Sequence, residues 1–385
     1  MKAWFLADQL AALKAKHLYR SRKTLQGPQA ACIEIDGKRL VNFSSNDYLG
    51  LANNPKVKKA YLTAAEKFGV GSGSAHLICG HSSEHHALEE ELADFTGRER
   101  ALVFSTGYMA NLGAISALVG KGDAVFQDKL NHASLLDGGK LSEATQRRYL
   151  HNNTERLQQL LAQSEANKKL IISDGVFSMD GDTAKLSKLV TLAEQYDAAL
   201  MIDDAHGIGV LGEKGAGLVE QQGLNQQQVP ILMATLGKAL GTAGAFIAGS
   251  EELIEFLIQR ARPYIYTTAP PPAIMAATRA SLQLCQQETW RRDKLQQLIK
   301  RFRVQANQLG LMLLDSNTPI QPIIIGDNEK AIKASEVLFS KGYLVTAIRS
   351  PTVPKGSERL RITLTAEHSE KQIDGLLESL AKALS

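Results

Sequence analysis

Lys238 stands in Thr235-Leu236-Gly237-Lys238-Ala239, directly after the apolar run 231–234. Alone it would be a solvated loop lysine. Its neighbours in the chain change that expectation. Asp203-Asp204-Ala205-His206 closes the apolar run 198–203, Asp174 and Ser178 follow the run 169–173, and His132 comes after another short apolar stretch. An amine, a carboxylate, two imidazoles and a hydroxyl then converge on one edge. Such a set suits amine nucleophilicity and proton transfer.

The elements that must hold these residues are short apolar runs alternating with helical patterns. Strands are predicted at 101–105, 169–173, 198–203, 231–234 and 245–248, with helices over 107–118 and 186–196. Strand, crossover helix and strand is the parallel α/β signature, and ligands bind beyond the carboxyl ends of such strands. After the proline cluster 269–273 comes a helical stretch over about 274–309. Strands at 320–325, 343–348 and 359–364 then flank helices at 329–341 and 369–384. The expectation is an N-terminal arm over 1–46, a large domain over 47–280 and an α+β C-terminal domain over 281–385. Leu6, Leu10 and Leu13 recur at helical spacing and predict a first helix docked on the body.

Three motifs point elsewhere. Gly207-Ile208-Gly209-Val210-Leu211-Gly212 matches G-x-G-x-x-G, but a dinucleotide site needs a helix to start there. Glu213-Lys214-Gly215-Ala216-Gly217 is a poor helix opening, so a glycine-rich turn is expected. His81-Ser82-Ser83-Glu84-His85 matches the inverted zinc-protease pattern, though no third ligand is marked. The glycines of 69–74 suit a flexible loop near substrate.

The 385 residues include 44 Lys+Arg and 40 Asp+Glu, a net charge of +4, with 44% hydrophobic and 22% charged residues. Usage is ordinary for a globular chain. The charge balance supplies no electrostatic case for nucleic acid or membrane as main partner. Three dispersed cysteines without a Cys-x-x-Cys fit a reducing cytoplasm and argue against a disulfide framework. No apolar run reaches the roughly 18 residues of a spanning helix, and Asp8 and Gln9 interrupt a signal-peptide core.

The Lys238 constellation resembles fold-type-I pyridoxal 5'-phosphate (PLP) transferases. That implies an α/β fold with a mostly parallel central sheet flanked by helices, a smaller α+β C-terminal domain and an N-terminal helical arm. The resemblance runs nearly end to end and is to the α-oxoamine synthases, which condense an amino acid with an acyl thioester. It is carried by 42–51 (NFSSNDYLGL), 132–137 (HASLLD), 174–182 (DGVFSMDGD), 203–209 (DDAHGIG) and 346–364 (TAIRSPTVPKGSERLRITL). The Arg349-x-Pro351-Thr352-Val353-Pro354 core points, within that family, to the member joining L-alanine to a pimeloyl thioester. The thioester carrier is coenzyme A or acyl carrier protein; relatives use glycine or serine with other acyl groups.

The resemblance implies a role for each matching position. Lys238 forms the cofactor imine, and Asp203 pairs the ring nitrogen, making the ring an electron sink. Alternation turns Asp204 away from Asp203 into a structural position. Ser178 and His206 contact the ring phenolate oxygen. His132 stacks on the ring and polarises the thioester. Gly107 and Tyr108 offer N–H groups to the phosphate at a helix start, helped by Thr235. Arg349 holds the amino-acid carboxylate with a guanidinium fork, and Arg20, Asn46 and Thr352 contact substrate. Tyr266-Thr267-Thr268 implies a homodimer with shared sites. Ser350 and Ser74-Ala75-His76 depart from the family pattern.

Overall fold

β-Branched and aliphatic residues in unbroken runs make strands that are buried on both faces, because alternate side chains point to opposite sides. The computed structural model describes residues 4–16 and 18–384. Positions 1–3 and 17 of the expected arm, and the last residue of the expected C-terminal domain, lie outside the described residues. Within the stretch expected as an arm, Cys32–Ile35 (β1) and Lys38–Asn42 (β2) pair as an antiparallel hairpin.

The central sheet contains Arg100–Phe104 (β3), Ala124–Asp128 (β4), Thr145–Tyr149 (β5), Lys169–Asp174 (β6), Ala199–Asp203 (β7), Ile231–Thr235 (β8) and Ala245–Gly249 (β9). Their order is β3-β9-β8-β7-β6-β4-β5. β9 runs antiparallel to β3 and β8, and the remaining pairs are parallel. Alternation divides the core as the pattern requires. On β6, Ile171 joins one apolar cluster, while Leu170 and Ile172 join the other. On β7, Leu200 and Ile202 face the first and Met201 the second. Each such fully buried side chain contributes about 1.5–3 kcal/mol.

A second sheet holds Ile320–Ile324 (β10), Thr346–Ile348 (β12) and Arg359–Thr363 (β13) in the order β10-β13-β12. Tyr343–Leu344 (β11) instead pairs parallel with β2 of the arm. The single strand expected at 343–348 is therefore two. Val345 between them is buried, and its carbonyl accepts from the Ser335 hydroxyl at 2.6 Å.

The helix expected over 274–309 is also two, Pro272–Gln287 and Trp290–Gln308. No glycine or proline marks the break. The second helix turns so that Arg291 donates to the Leu49 carbonyl at 2.9 Å and Arg292 to the Glu213 carbonyl at 3.0 Å. The first helix, Leu6–Ala15, is not docked as expected. It buries no residue, and Leu6, Leu10 and Leu13 are exposed, because no element among the described residues covers its apolar stripe. Among the described residues, no helix is long and apolar enough to cross a membrane.

Candidate active site

Polar residues cap the carboxyl ends of the parallel strands, and strand register decides which ones meet. Asp174, last on β6, is paired with Asp203, last on β7, and Asp203 with Met233 on β8. The next turn carries Lys238. Its carbonyl accepts from Gly241 N at 2.8 Å. Gly241 has φ +65°, and a side chain there would strike the backbone of Leu51–Ala52, so only glycine lets the turn seat against that segment.

Gly107, Tyr108, His132, Ser178, Asp203, His206, Thr235 and Lys238 all line one cavity of about 180 Å³, with Asn111, Ser134, Asp174, Ala205 and Met233. Asp203 Oδ2 accepts from Asn111 Nδ2 at 2.7 Å and Oδ1 from Ala205 N at 3.1 Å. Both partners donate, so Asp203 acts as an acceptor with lone pairs to spare. His132 caps the helix Ala133–Leu141, its N–H donating to Asp174 Oδ2 at 2.8 Å and its Nδ1 lying 2.7 Å from Ser134 Oγ. Lys238 Nζ lies 2.8 Å from His206 Nε2, and His206 Nδ1 lies 2.7 Å from the Tyr48 hydroxyl.

Burial sets the electrostatics. It pushes the Lys238 amine down to about 8, with Asp203 and Asp174 pulling up and Arg361 adding to the fall. It drives His206 well below the usual imidazole range, helped by Lys238 and Arg361. Burial and the neighbouring Asp203 hold Asp174 well above the usual carboxylate range. Asp204 faces away from the cavity. It is fully buried, accepts from Leu218 N at 2.6 Å, and burial raises it to about 7. Side chains at Gly207 or Gly217 would collide with its carboxyl. The glycines after β7 therefore wrap a buried acid, and the next helix, Leu218–Gln221, is a single short turn.

These residues fit PLP. The amine faces the cavity for an aldehyde, and a hydrogen-bonded carboxylate stands ready for a ring nitrogen. The helix Gly107–Leu118 opens at the cavity with free N–H groups for a phosphate. A Cβ at Gly107 would lie 2.8 Å from Met233 Cε, so the helix start comes close only because it is glycine.

The remaining candidates are placed apart. Arg20, Arg349 and Thr352 line a larger groove of about 960 Å³ between the arm and the C-terminal strands. Asn46 lies in neither cavity lining; its Oδ1 accepts from Arg361 at 3.2–3.3 Å. Sequence reasoning missed Tyr48, Asn111 and Arg361. Asn111 had a signal, being an amide inside the apolar helix Gly107–Leu118. Tyr48 and Arg361 lay inside matching stretches but carried no local mark.

The zinc reading of His81 and His85 does not stand. His85 Nδ1 accepts from Ser82 N at 3.1 Å, and its Nε2 donates to the Pro270 carbonyl at 2.8 Å, so no lone pair remains. Among the described residues, one group has metal-ligating spacing, His151 with Asp180 and Asp182. There His151 bonds Asp128 at 3.2 Å and Asp182 at 2.7 Å. Burial opposes its charge, but the two carboxylates prevail and raise it to about 10, so it is a cation.

Comparison with known proteins agrees with this geometry. The family Aminotransferase class I and II matches residues 38–380. Serine palmitoyltransferase from S. paucimobilis, with bound PLP and myriocin, superposes with a TM-score of 0.93 at 31% identity, covering 98% of this chain and 96% of that one. The chain thus belongs to the class I and II aminotransferase family and has the fold-type-I architecture of a PLP-dependent transferase. The 8-amino-7-oxononanoate synthases of Cellvibrio japonicus and Nitrosococcus oceani are 59% and 58% identical to it. Those matches cover 99% and 98% of this chain and 96% and 100% of theirs. A Francisella tularensis 8-amino-7-oxononanoate synthase structure matches at 35% identity and TM-score 0.78, over 89% of this chain and 97% of that one. Within the class, the chain belongs to the 8-amino-7-oxononanoate synthase family of PLP-dependent acyltransferases.

Proposed function

We propose that the chain condenses L-alanine with a pimeloyl thioester, releasing carbon dioxide and free thiol to give 8-amino-7-oxononanoate for biotin synthesis. Bound PLP supplies an aldehyde that takes up an amine and a ring that accepts the electron pair of a carbanion. The chain's own groups do the rest. Lys238 Nζ, with its pKa lowered to about 8, has a far larger free-base fraction near neutrality than an ordinary lysine and takes the Cα proton of alanine. With the cofactor bound, Asp203 would keep the ring nitrogen protonated, Ser178 and His206 would hold the phenolate oxygen, and the Gly107 and Tyr108 N–H groups, with the Thr235 hydroxyl, would hold the phosphate. His132 would cover the ring and polarise the thioester carbonyl. Arg349 pairs the alanine carboxylate, and Arg20, Asn46 and Thr352 contact substrate.

The thioester approaches through the groove that Arg20, Arg349 and Thr352 line, where Lys14 and Lys23 add positive charge for a phosphorylated carrier, coenzyme A or acyl carrier protein. The working unit is a cytoplasmic homodimer. Tyr266, which is 71% exposed in the single chain, and Thr267 and Thr268 reach the neighbouring site. The convergence of Lys238, Asp203 and His206 on one cavity, together with 59% identity to a named synthase, supports this function. Serine palmitoyltransferase matches the backbone with a TM-score of 0.93, so serine is the competitor to test.

The experiment titrates the PLP-reconstituted protein with alanine, glycine and serine by near-visible absorbance, then assays thiol release from pimeloyl-CoA. Saturable alanine binding with alanine-dependent thiol release is expected. Turnover confined to glycine or serine with another acyl-CoA would replace this function by that of a sister synthase.

A further inference from the structure

Tyr48 is fully buried, and its hydroxyl lies between a ring nitrogen and an amide oxygen. His206 Nδ1 is 2.7 Å away and Asn46 Oδ1 is 3.2 Å away. Asn46 Oδ1 already accepts from both terminal nitrogens of Arg361, at 3.3 and 3.2 Å. A phenol has one proton to give. Burial pushes Tyr48 up to about 12, so the proton is present throughout the neutral range. The shorter contact is to His206, and Asn46 Oδ1 already has two other donors. Beyond it, His206 Nε2 lies 2.8 Å from Lys238 Nζ.

We propose that Tyr48 is a positioning residue for the reaction: by donating to His206 Nδ1 it locks the proton of that imidazole on Nε2. His206 then meets Lys238 as a donor, and the lysine nitrogen must offer its lone pair, which favours the free amine. The same Nε2–H serves as donor to the cofactor's phenolate oxygen, the role proposed for His206 above. Charges facing Lys238 divide. Asp203 and Asp174, from the ends of β7 and β6, favour the ammonium, while Arg361 on β13 opposes it. His206 is itself faced by Lys238, Arg361 and His132, which all disfavour an imidazolium there. It is a neutral ring whose tautomer decides which way the lysine bond runs. Without Tyr48, His206 can carry its proton on Nδ1, accept from the ammonium through Nε2, and raise the lysine pKa.

This rests on the proposed role of Lys238, but its tests need neither alanine nor thioester, so the two can fail separately. Neutron diffraction from crystals of the perdeuterated PLP holoenzyme should place the His206 deuteron on Nε2. In the apo form of the full chain, the pH dependence of Lys238 acetylation by acetic anhydride, read by mass spectrometry, gives the amine pKa. Tyr48→Phe should raise that midpoint by about one pH unit. The pH midpoint of the holoenzyme's visible band should also move. A His206 deuteron on Nδ1 in the wild type would overturn the proposal, whether or not the variant folds. So would a folded Tyr48→Phe protein with both midpoints unmoved.

Discussion

Two of the clusters of buried titratable groups contrast, one lining a cavity and the other bonded largely within itself. At the strand ends, Lys238, Asp203, His132 and His206 line one cavity with polar atoms facing inward. In the segment 76–85, His76, His81 and His85 are as closely gathered, with ring centroids 5.0–5.5 Å apart. Burial displaces their pKa values as strongly, His76 to about 3 and His85 to about 4. Yet several of their nitrogens are bonded locally. His76 Nδ1 and His81 Nδ1 are 3.0 Å apart, and His85 completes a capping box with Ser82 at the start of the helix Ser83–Thr96. A perturbed pKa marks burial. Reactivity needs, in addition, groups whose bonds are left open toward a shared space.

Removing the amine should separate the two regions most sharply. Lys238→Ala is expected to abolish the visible band and lower turnover by about 10³-fold or more; retained turnover without added amine would remove Lys238 from its role. Asp203→Asn should leave PLP bound while slowing solvent exchange of the alanine Cα proton by about 10²-fold, measured by NMR. An unchanged exchange rate would reassign that carboxylate.

The histidine cluster should answer to folding instead. His85→Ala loses the capping-box bond from Ser82 N and the bond to the Pro270 carbonyl, so a stability loss of about 1–3 kcal/mol is expected in urea titrations. A chelator such as EDTA should leave wild-type turnover unchanged; chelator-sensitive turnover would revive the zinc reading.

The smallest effect is in pH. His76 and His85 have folded pKa values below the ordinary 6.5, so the unfolded chain binds protons more readily. Their contribution is present above about 6.5 and is lost as pH falls toward 4 and 3. His151 runs the other way. Raised to about 10, its paired imidazolium contributes fully below about 6.5 and is lost as pH rises through 10. Urea midpoints across pH should therefore respond to His85→Ala on the acid side and His151→Gln on the alkaline side.

Much of this was legible because short-range rules governed it. The runs at β6, β7, β8 and β9 are aliphatic and flanked by turns, so their strands follow from pattern alone. The strand Thr145–Tyr149 escaped notice because TQRRY lies at the sheet edge, where one side meets water and polar residues are tolerated. The break at Glu288–Thr289 escaped because it answers to buried arginine partners hundreds of positions away in the chain, such as Leu49.

The sequence by itself determined the chemistry available. It placed an amine, acids and imidazoles at strand ends, and parallel topology sends those ends to one edge. Only the tertiary structure decided how those groups are tuned. Tyr48 and Arg361 come from opposite ends of the chain to bear on His206 and Lys238, and Arg20 and Arg349 are gathered into a groove apart from the amine. Hydrogen bonding and charge interactions fall off over a few ångströms, while the residues concerned lie hundreds of positions apart, so pattern along the chain carries no record of them.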